Sequence, residues 1–574
     1  MRPAAPFVLL DDARPGAARA RLYTRPVAIL EAREAGAVRP LLEQVRASGR
    51  HAAGFLSYEA AAAFDLPAVA GASPTPLAWF GLFDAWEEVD AAAWLPDPRS
   101  GWIGAPEPSI ARPGYDAAIA RVLEWIAAGD LYQANLSFRA SARILGDPLG
   151  LYAQLRARSG AGYGAIVHTG AQLLLSFSPE LFFALDGNHL TCRPMKGTAR
   201  RGETPEADRT AALALRGDAK QRAENLMIVD LMRNDLSRVA VPGSVSVPTL
   251  FAVETYPTVH QMVSTVTATL APASDAVDVL AAAFPCGSIT GAPKRRATEV
   301  IAAVEGSARG PYTGTIGRID AGGDAAFNVA IRTLLIEGDV ATLGLGSGIV
   351  ADSDPAAEWD ECLAKGAFVG DGTPAFDLIE TMAFDPDEGL LRLEAHLVRL
   401  SASAAALGFA CNRHDTRNEL QAATFRLREP RRVRLLLSPS GAIAIEVGAM
   451  PVTAGELRVA VVPLPVDPSD LRLVHKTSAR DFYDRARAEA GMDEVVFEGP
   501  DGRLTEGSFT SLFVRRGDRL VTPRLSAGLL PGILRADLLA RGEAVEGDLT
   551  QGDLADGFLL GNAVRGLMPA RLAV

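Results

Sequence analysis

Strand-like apolar runs dominate the first third of the chain. FVLLDD, PVAIL and AWFGLFDAW read as strands, 115–128 as a helix, and YQANLSFRA as a further strand. Segments 173–185 and 189–193 form a hairpin pattern through Asp186-Gly187-Asn188, a favoured turn sequence. Over 219–238 the apolar positions circle nearly the whole helix, which predicts a buried helix. Strands are expected over 313–320, 325–336 and 340–345. The glycine-bearing stretch GAFVGDGTPA at 366–375 ends this pattern, and a new one begins at FDLIETMAFDPDEGLLRLEAHLVRL: strand, turn, strand, helix. Two domains are therefore expected, 1–368 and 374–574. No long Ser/Gly or Pro linker parts them, which favours close packing over free swinging.

Composition narrows the class. At 574 residues, with 48% apolar and 22% charged positions, the chain suits a globular protein with large cores. A net charge of -12 argues against nucleic acid as a partner. The basic run Arg426 to Arg434 is short and reads as solvated strand and loop charges. Cys192, Cys286, Cys362 and Cys411 lie far apart with no CxxC, as expected for reduced thiols without a zinc site. No stretch approaches the roughly 18 consecutive apolar residues of a membrane span. The opening residues also lack a secretory pattern, so no membrane association and a cytoplasmic location are expected.

Some charges need a reason. AENLMIVDLMRNDL places Glu224, Asp230, Arg233 and Asp235 on the helix expected to be buried, where charges must be paired or bind something. Asp230, Arg233 and Asp235 read as an internal ion-pair network. Glu224 reads as functional, because Glu358 and Glu361 supply a second acidic pair at i, i+3. Carboxylates converging from two helices suit Mg²⁺. Glu361 and Lys365 also fit an ordinary i, i+4 surface pair.

Longer motifs carry a resemblance. SPELFF, RPMKGTARRG, AENLMIVDLMRNDLSRV, VETYPTVHQMVS, FPCGSITGAPKRRA, RGPYTGTIG and the block from GSG to EWDE resemble the chorismate-utilising enzymes. That family includes anthranilate, isochorismate, salicylate and aminodeoxychorismate synthases. The resemblance implies an α+β fold whose large first domain has two sheets, like anthranilate synthase component I. It implies Glu224 and Glu361 as Mg²⁺ ligands with Glu358 beside them, the metal holding the ring carboxylate of chorismate. Arg332, Tyr312, Lys365 and the amides of Gly346, Ser347 and Gly348 would complete the anion clamp, with Gly197 and Thr198 also against substrate. Glu180 matches the general acid/base, and Lys196 the nucleophile at C2. His260 matches a histidine near the ring, or is a satisfied core histidine. Thr290 positions substrate or caps the following helix. Anthranilate synthases usually carry alanine where Lys196 stands, whereas aminodeoxychorismate synthases of this type carry lysine, which implies 4-amino-4-deoxychorismate as product. GFLSYEAA resembles a pocket that binds tryptophan in some members. No glutaminase triad occurs in the sequence, so ammonia is expected from a separate glutamine amidotransferase subunit.

The second half resembles a different family. LRLEAHLVRL, LVHKTSARDFYD, DEVVFEGPDGRLTEGSFTSLFV and LSAGLLPGILR are similar to fold-type IV pyridoxal-phosphate enzymes, the group of D-amino acid and branched-chain aminotransferases and aminodeoxychorismate lyase. Lys476 matches the Schiff-base lysine and Glu506 the partner of the pyridinium nitrogen. Arg399 and the amides of Ile533 and Leu534, after Pro531-Gly532, match the phosphate cup. Thr381 lies near where a lyase hydroxyl assists proton transfer. These residues serve transaminase and lyase alike. Fusion favours the lyase, which would take the first domain's product to 4-aminobenzoate and pyruvate. The rival is an anthranilate synthase component I joined to an aminotransferase-like domain. A homodimer through the second domain is expected from the same resemblance.

Overall fold

The computed structural model describes residues 5–68, 74–256, 259–452 and 455–573, so Pro257 and Thr258 of VETYPTVHQMVS lie outside the described residues. The architecture is α+β, in two compact units. One comprises Met1–Leu95, Ala105–Arg143 and Tyr152–Gly370; the other comprises Pro96–Gly104, Ile144–Leu151 and Asp371–Val574. Two short stretches of the first half thus belong to the second unit, which no local pattern announces. Trp102 shares a core with Phe376, Leu378 and Leu407, and its indole N–H donates to the Gly372 carbonyl at 2.6 Å. Buried Arg472 is held by Asp470 (2.7 Å) and Asp97 (2.8 Å).

Two antiparallel sheets form the first unit. An 11-stranded sheet includes Gln133–Gly146, Tyr163–His168, Leu173–Ser178, Thr333–Glu337 and Val340–Ile349. A 10-stranded sheet includes His51–Leu56, Leu181–Asp186, His189–Arg193, Met195–Arg200 and Val259–Thr269. They pack face to face through Val8, Tyr23, Leu174 and Leu335 on one side and Phe55, Trp79 and Ile316 on the other. The far face of the 10-stranded sheet is covered by helices Ala35–Ser48, Ala219–Ser237 and Ala276–Ala283.

At two places a segment expected to be one strand is divided between the two sheets. The strand expected over 173–185 breaks into Leu173–Ser178 in one sheet and Leu181–Asp186 in the other. Pro179, which has no N–H to give a ladder, stands at the break. The strand expected over 325–336 breaks likewise into Ala325–Asn328 and Thr333–Glu337, with Arg332 at φ 50. The two crossings are bonded together: Val329 N–H donates to Glu180 O (3.1 Å), Phe177 N–H to Arg332 O (3.0 Å). Strands that switch sheets in this way join two layers at a corner.

Helix Ala219–Ser237 is buried on one face only. Ile228, Val229, Met232 and Leu236 face the core, whereas Leu226 is 43% exposed. Asp230 and Arg233 form an exposed i, i+3 pair at 2.8 Å, not an internal network; only Asp235 is buried, against Lys294 at 2.6 Å. Apolar count around the helix overstated its burial because Leu226 is left in solvent.

In the second unit a four-stranded sheet contains Leu378–Asp385, Arg431–Leu437 and Ile443–Ala449. Helices Leu393–Leu407 and Arg413–Thr424 cover the face bearing Val433 and Leu435. An eight-stranded sheet is built round Leu457–Pro463, which runs parallel to both Glu494–Glu498 and Gly566–Leu572.

Candidate active sites

A β-bulge presents Lys196. Met195 opposes Val263 and Thr198 opposes Gln261, so Lys196 and Gly197 together span one partner residue. Such a bulge re-aims side chains, and Gly197 at φ 101 takes a backbone that other residues resist. A Cβ on Gly348 would lie 2.4 Å from Lys196 Nζ and 2.4 Å from Gln133 Nε2, so glycine there leaves room for both. Burial pushes the Lys196 ammonium down, against the opposing pull of Glu224 and with the help of Lys365. The shift is towards the neutral amine.

Glu180 sits at the first sheet crossing, 3% exposed. Burial pushes its carboxyl up to about 7, although Ser288 and the Met195 N–H (3.5 Å) hydrogen-bond to it and Lys196 and Lys365 are nearby cations. It can therefore carry a proton near neutrality. Ser288 and Gln133 escaped the sequence reading. Gln133 is fully buried and both its amide atoms lack a hydrogen-bond partner among the described residues. The only signal was a polar residue opening the apolar strand YQANLSFRA.

Other residues of the set gather unevenly. Lys365 donates to Gly346 O (2.9 Å) and pairs with Glu361 (2.7 Å). Tyr312 packs its ring over Gly344, where a Cβ would clash at 2.1 Å. Burial lowers the Arg332 guanidinium, which has no carboxylate partner among the described residues. The amides of Gly346 and Gly348 turn away from the neighbouring strand, because their partners Ser137 and Asn135 send their own N–H groups outward, to Glu305 and Thr290. By the same alternation the Ser347 amide faces the neighbouring strand, and its hydroxyl contacts Tyr115 (3.2 Å), so this member of the expected clamp points elsewhere. Thr198 is exposed and bonds Gln261 (3.3 Å). Thr290 bonds back to Cys286 O (2.8 Å) and closes the preceding turn; Pro293, not Thr290, occupies the cap of the following helix. His260 is 2% exposed with one ring nitrogen on Asp208 (2.8 Å) and the other on Thr255 (3.1 Å), the arrangement of a satisfied core histidine.

The three carboxylates expected to bind metal do not form a closed ligand cage. Among the described residues no group of three or more His, Cys, Asp and Glu is arranged to hold a metal ion. Glu361 is turned to Lys365, and Glu358 accepts from Ser353 (2.6 Å). Glu224 nevertheless feels both: burial raises its carboxyl, Lys196 and Lys220 oppose this, and Glu361 and Glu358 add to it.

The second unit contains a cavity of about 530 Å³. Lys476 stands in it, its Nζ 3.2 Å from the Thr381 hydroxyl, and burial followed by the charge of Arg399 lowers its ammonium to about 7. Burial raises Glu506 to about 7; Tyr483 (2.5 Å) and the Leu530 N–H (3.1 Å) hydrogen-bond to it. Arg399 donates twice to Glu380 (2.8 and 2.6 Å) and once to Pro531 O (3.0 Å), and the helix Ile533–Ala540 starts after Gly532 on the same cavity. His396 also went unforeseen: Nδ1 meets Glu380 (2.5 Å), while buried Nε2 has no partner among the described residues. Its signal was the i, i+3 spacing with Arg399, which brings both onto one carboxylate. Against the cost of burial, Arg399 and His396 hold Glu380 at about 2.

Comparison with known proteins assigns each half of the chain to a family. The family model described as chorismate binding enzyme matches residues 12–370, and that described as amino-transferase class IV matches residues 377–573. Aminodeoxychorismate synthase component 1 of Salmonella typhimurium is 45% identical over 257 residues, 45% of this chain and 57% of that protein. Anthranilate synthase component 1 of Haloferax volcanii is 40% identical over 263 residues, 45% of this chain and 50% of that protein. The chain thus spans about half the length of these relatives. In fold, the first unit is similar to the crystal structure of anthranilate synthase component I from Streptococcus pneumoniae: TM-score 0.54, 24% identity, 64% of this chain and 93% of that one.

Proposed function

Because the chain belongs to the chorismate binding enzyme family and continues into a class IV aminotransferase domain, we propose that it makes 4-aminobenzoate from chorismate in two steps. The observation that carries this reading is Lys196, lifted by its bulge into a half-buried position near Glu180. Neutral Lys196 Nζ bonds to C2 of chorismate as the C4–O bond breaks, and Glu180 gives its proton so that hydroxide leaves as water. Ammonia then bonds to C4 as the C2–N bond breaks, releasing the lysine and 4-amino-4-deoxychorismate. Arg332, Lys365 and the outward amides of Gly346 and Gly348 hold the substrate's carboxylates. Mutual repulsion among Glu224, Glu358 and Glu361 suits a divalent cation; Mg²⁺ there would neutralise them and hold the ring carboxylate. Ammonia comes from a separate amidotransferase.

The second unit fits pyridoxal phosphate. Glu506 is a buried carboxyl stripped of a direct ion pair, as a pyridinium nitrogen requires, and Arg399 with the Ile533 and Leu534 amides suits the phosphate. Bound there, the cofactor supplies an electron sink. Lys476, whose ammonium burial lowers to about 7, takes the proton from C4 of the intermediate and gives it to the enolpyruvyl methylene carbon as the C3–O bond breaks and pyruvate leaves, with the Thr381 hydroxyl hydrogen-bonded to the lysine. The protein works in the cytoplasm as a dimer through this unit; among the described residues no helix is long and apolar enough to cross a membrane.

The test is product analysis after incubating the purified chain with chorismate, Mg²⁺, pyridoxal phosphate and ammonium. 4-Aminobenzoate with pyruvate is expected. Anthranilate with pyruvate would overturn the role of Lys196 and leave the second unit needing another substrate.

A further inference from the structure

The cavity of the second unit holds more positive charge than its cofactor needs. Along Arg431–Leu437, Val433, Leu435 and Leu437 fill the core, so Arg432 and Arg434 share the opposite face and line the cavity. Arg434 opposes Thr381, whose hydroxyl holds Lys476. Arg480, Arg487 and Arg565 line the same space. The phosphate has its own donors in Arg399 and the amides after Gly532, so these five arginines are surplus to it.

Little within the protein compensates them. Arg487 alone has a carboxylate partner, Asp484 at 2.8 Å; among the described residues Arg432, Arg434, Arg480 and Arg565 have none. The Arg434 Nε and Arg480 Nη1 groups are buried without a hydrogen-bond partner. Arg487 and Arg565 both lie over the Phe509 ring, at 5.2 and 4.7 Å, and burial, against the pull of Glu494 and with the help of Arg487 and Arg432, pushes the Arg565 guanidinium down. Gathering like charges in a cavity is costly unless an anion enters. The set divides in two. Arg434 and Arg480 act on Lys476, whereas Arg432, Arg487 and Arg565 act on one another.

We propose that this guanidinium wall seats two carboxylates of the substrate and thereby selects a dicarboxylate over ordinary amino acids. The assignment rests on the lyase reading of this unit. 4-Amino-4-deoxychorismate carries one carboxylate on the enolpyruvyl group beside the reacting amine and another across the ring. Arg434 and Arg480, near Lys476, meet the first; Arg432, Arg565 and Arg487 meet the second. A simple amino acid offers one carboxylate and leaves the distant arginines unpaired, which is how a polar site rejects a smaller competitor.

The experiment titrates the full chain, loaded with pyridoxal phosphate, with isophthalate and with benzoate while following cofactor absorbance. Isophthalate is expected to bind roughly 10- to 100-fold more tightly, the size of one charge-assisted interaction. The double variant Arg432→Leu, Arg565→Leu should erase that advantage and leave benzoate unchanged, and lysine at both positions should restore part of it. With aminodeoxychorismate the leucine pair should raise KM far more than it lowers kcat. Should the leucine pair fail to hold cofactor, Arg432→Gln alone carries the same comparison from an exposed position. Equal isophthalate affinity in the parent and a loaded variant overturns the proposal. Arginine-dependent isophthalate binding in a chain that releases no pyruvate from aminodeoxychorismate would uphold the wall and overturn the lyase reading instead.

Discussion

Lys196 and Gly348 are in such close approach that a Cβ on Gly348 would lie 2.4 Å from the lysine Nζ. The atoms in the way are the ends of two flexible side chains, Lys196 and Gln133, rather than backbone. Gly348→Ala should therefore fold and still displace the nucleophile. A shift of about 1 Å can cost on the order of 100-fold in rate. Aminodeoxychorismate formation is expected to fall by that order while thermal stability changes little; steady-state rates with ammonium and a melting curve check both.

The two sites should fail separately. Lys196→Ala is expected to abolish the amination step and leave the conversion of supplied aminodeoxychorismate to 4-aminobenzoate intact. Lys476→Ala should lose the cofactor's bound absorbance and let aminodeoxychorismate accumulate from chorismate. Loss of both activities in a folded Lys196→Ala protein would contradict independent sites.

Glu180 ties stability to pH. Its folded value of about 7 lies above the ordinary 4.5, so the native state holds the proton longer than the unfolded chain. The cost of ionising it in place is absent below 4.5, grows as pH rises, and is complete above 7. Glu180→Gln should thus stabilise the first unit at pH 8, by on the order of 3 kcal/mol as an upper bound, with the gain vanishing towards pH 4. Denaturant unfolding at the two pH values gives the answer, and a gain that grew on acidification would refute it.

Glu506 should show the same trade in the other unit. Without cofactor, Glu506→Gln is expected to melt higher than the parent at pH 8, since burial raises this carboxyl to about 7 as well. With cofactor the order should reverse, because the amide cannot offset a pyridinium. Dialysis half-lives of bound pyridoxal phosphate would show it directly.

Mg²⁺ at about 100 times its Kd should stabilise the first unit by about 2.7 kcal/mol through binding the native state alone. Glu224→Gln is expected to remove most of that gain. Thermal melts with and without Mg²⁺ decide it, and an undiminished gain in the variant would move the metal away from Glu224.

Local pattern carried much of this protein. The Asp186-Gly187-Asn188 turn is a hairpin with Gly187 at φ 57, the helix expected over 115–128 spans Arg112–Ala127, and the pattern change near 370 marks where the two family matches meet. The motif RPMKGT singled out Lys196, and its glycine is the residue the bulge requires. Long-range pairing decided the rest. Whether 173–185 stays one strand depends on which sheet takes each half, and the break sets Glu180 in the first unit's interior. His260 could be read either way until Asp208 and Thr255 closed on its ring. The sharpest case is the run from Arg426 to Arg434, read as solvated charge. Alternation with Val433 and Leu435 establishes that Arg432 and Arg434 share a face, since side chains on a strand repeat every second residue. Arg426, Arg428 and Arg432 are exposed as that reading expects, but the strands and loops that close round this face make Arg432 and Arg434 part of a cavity's lining, and those lie up to Arg565.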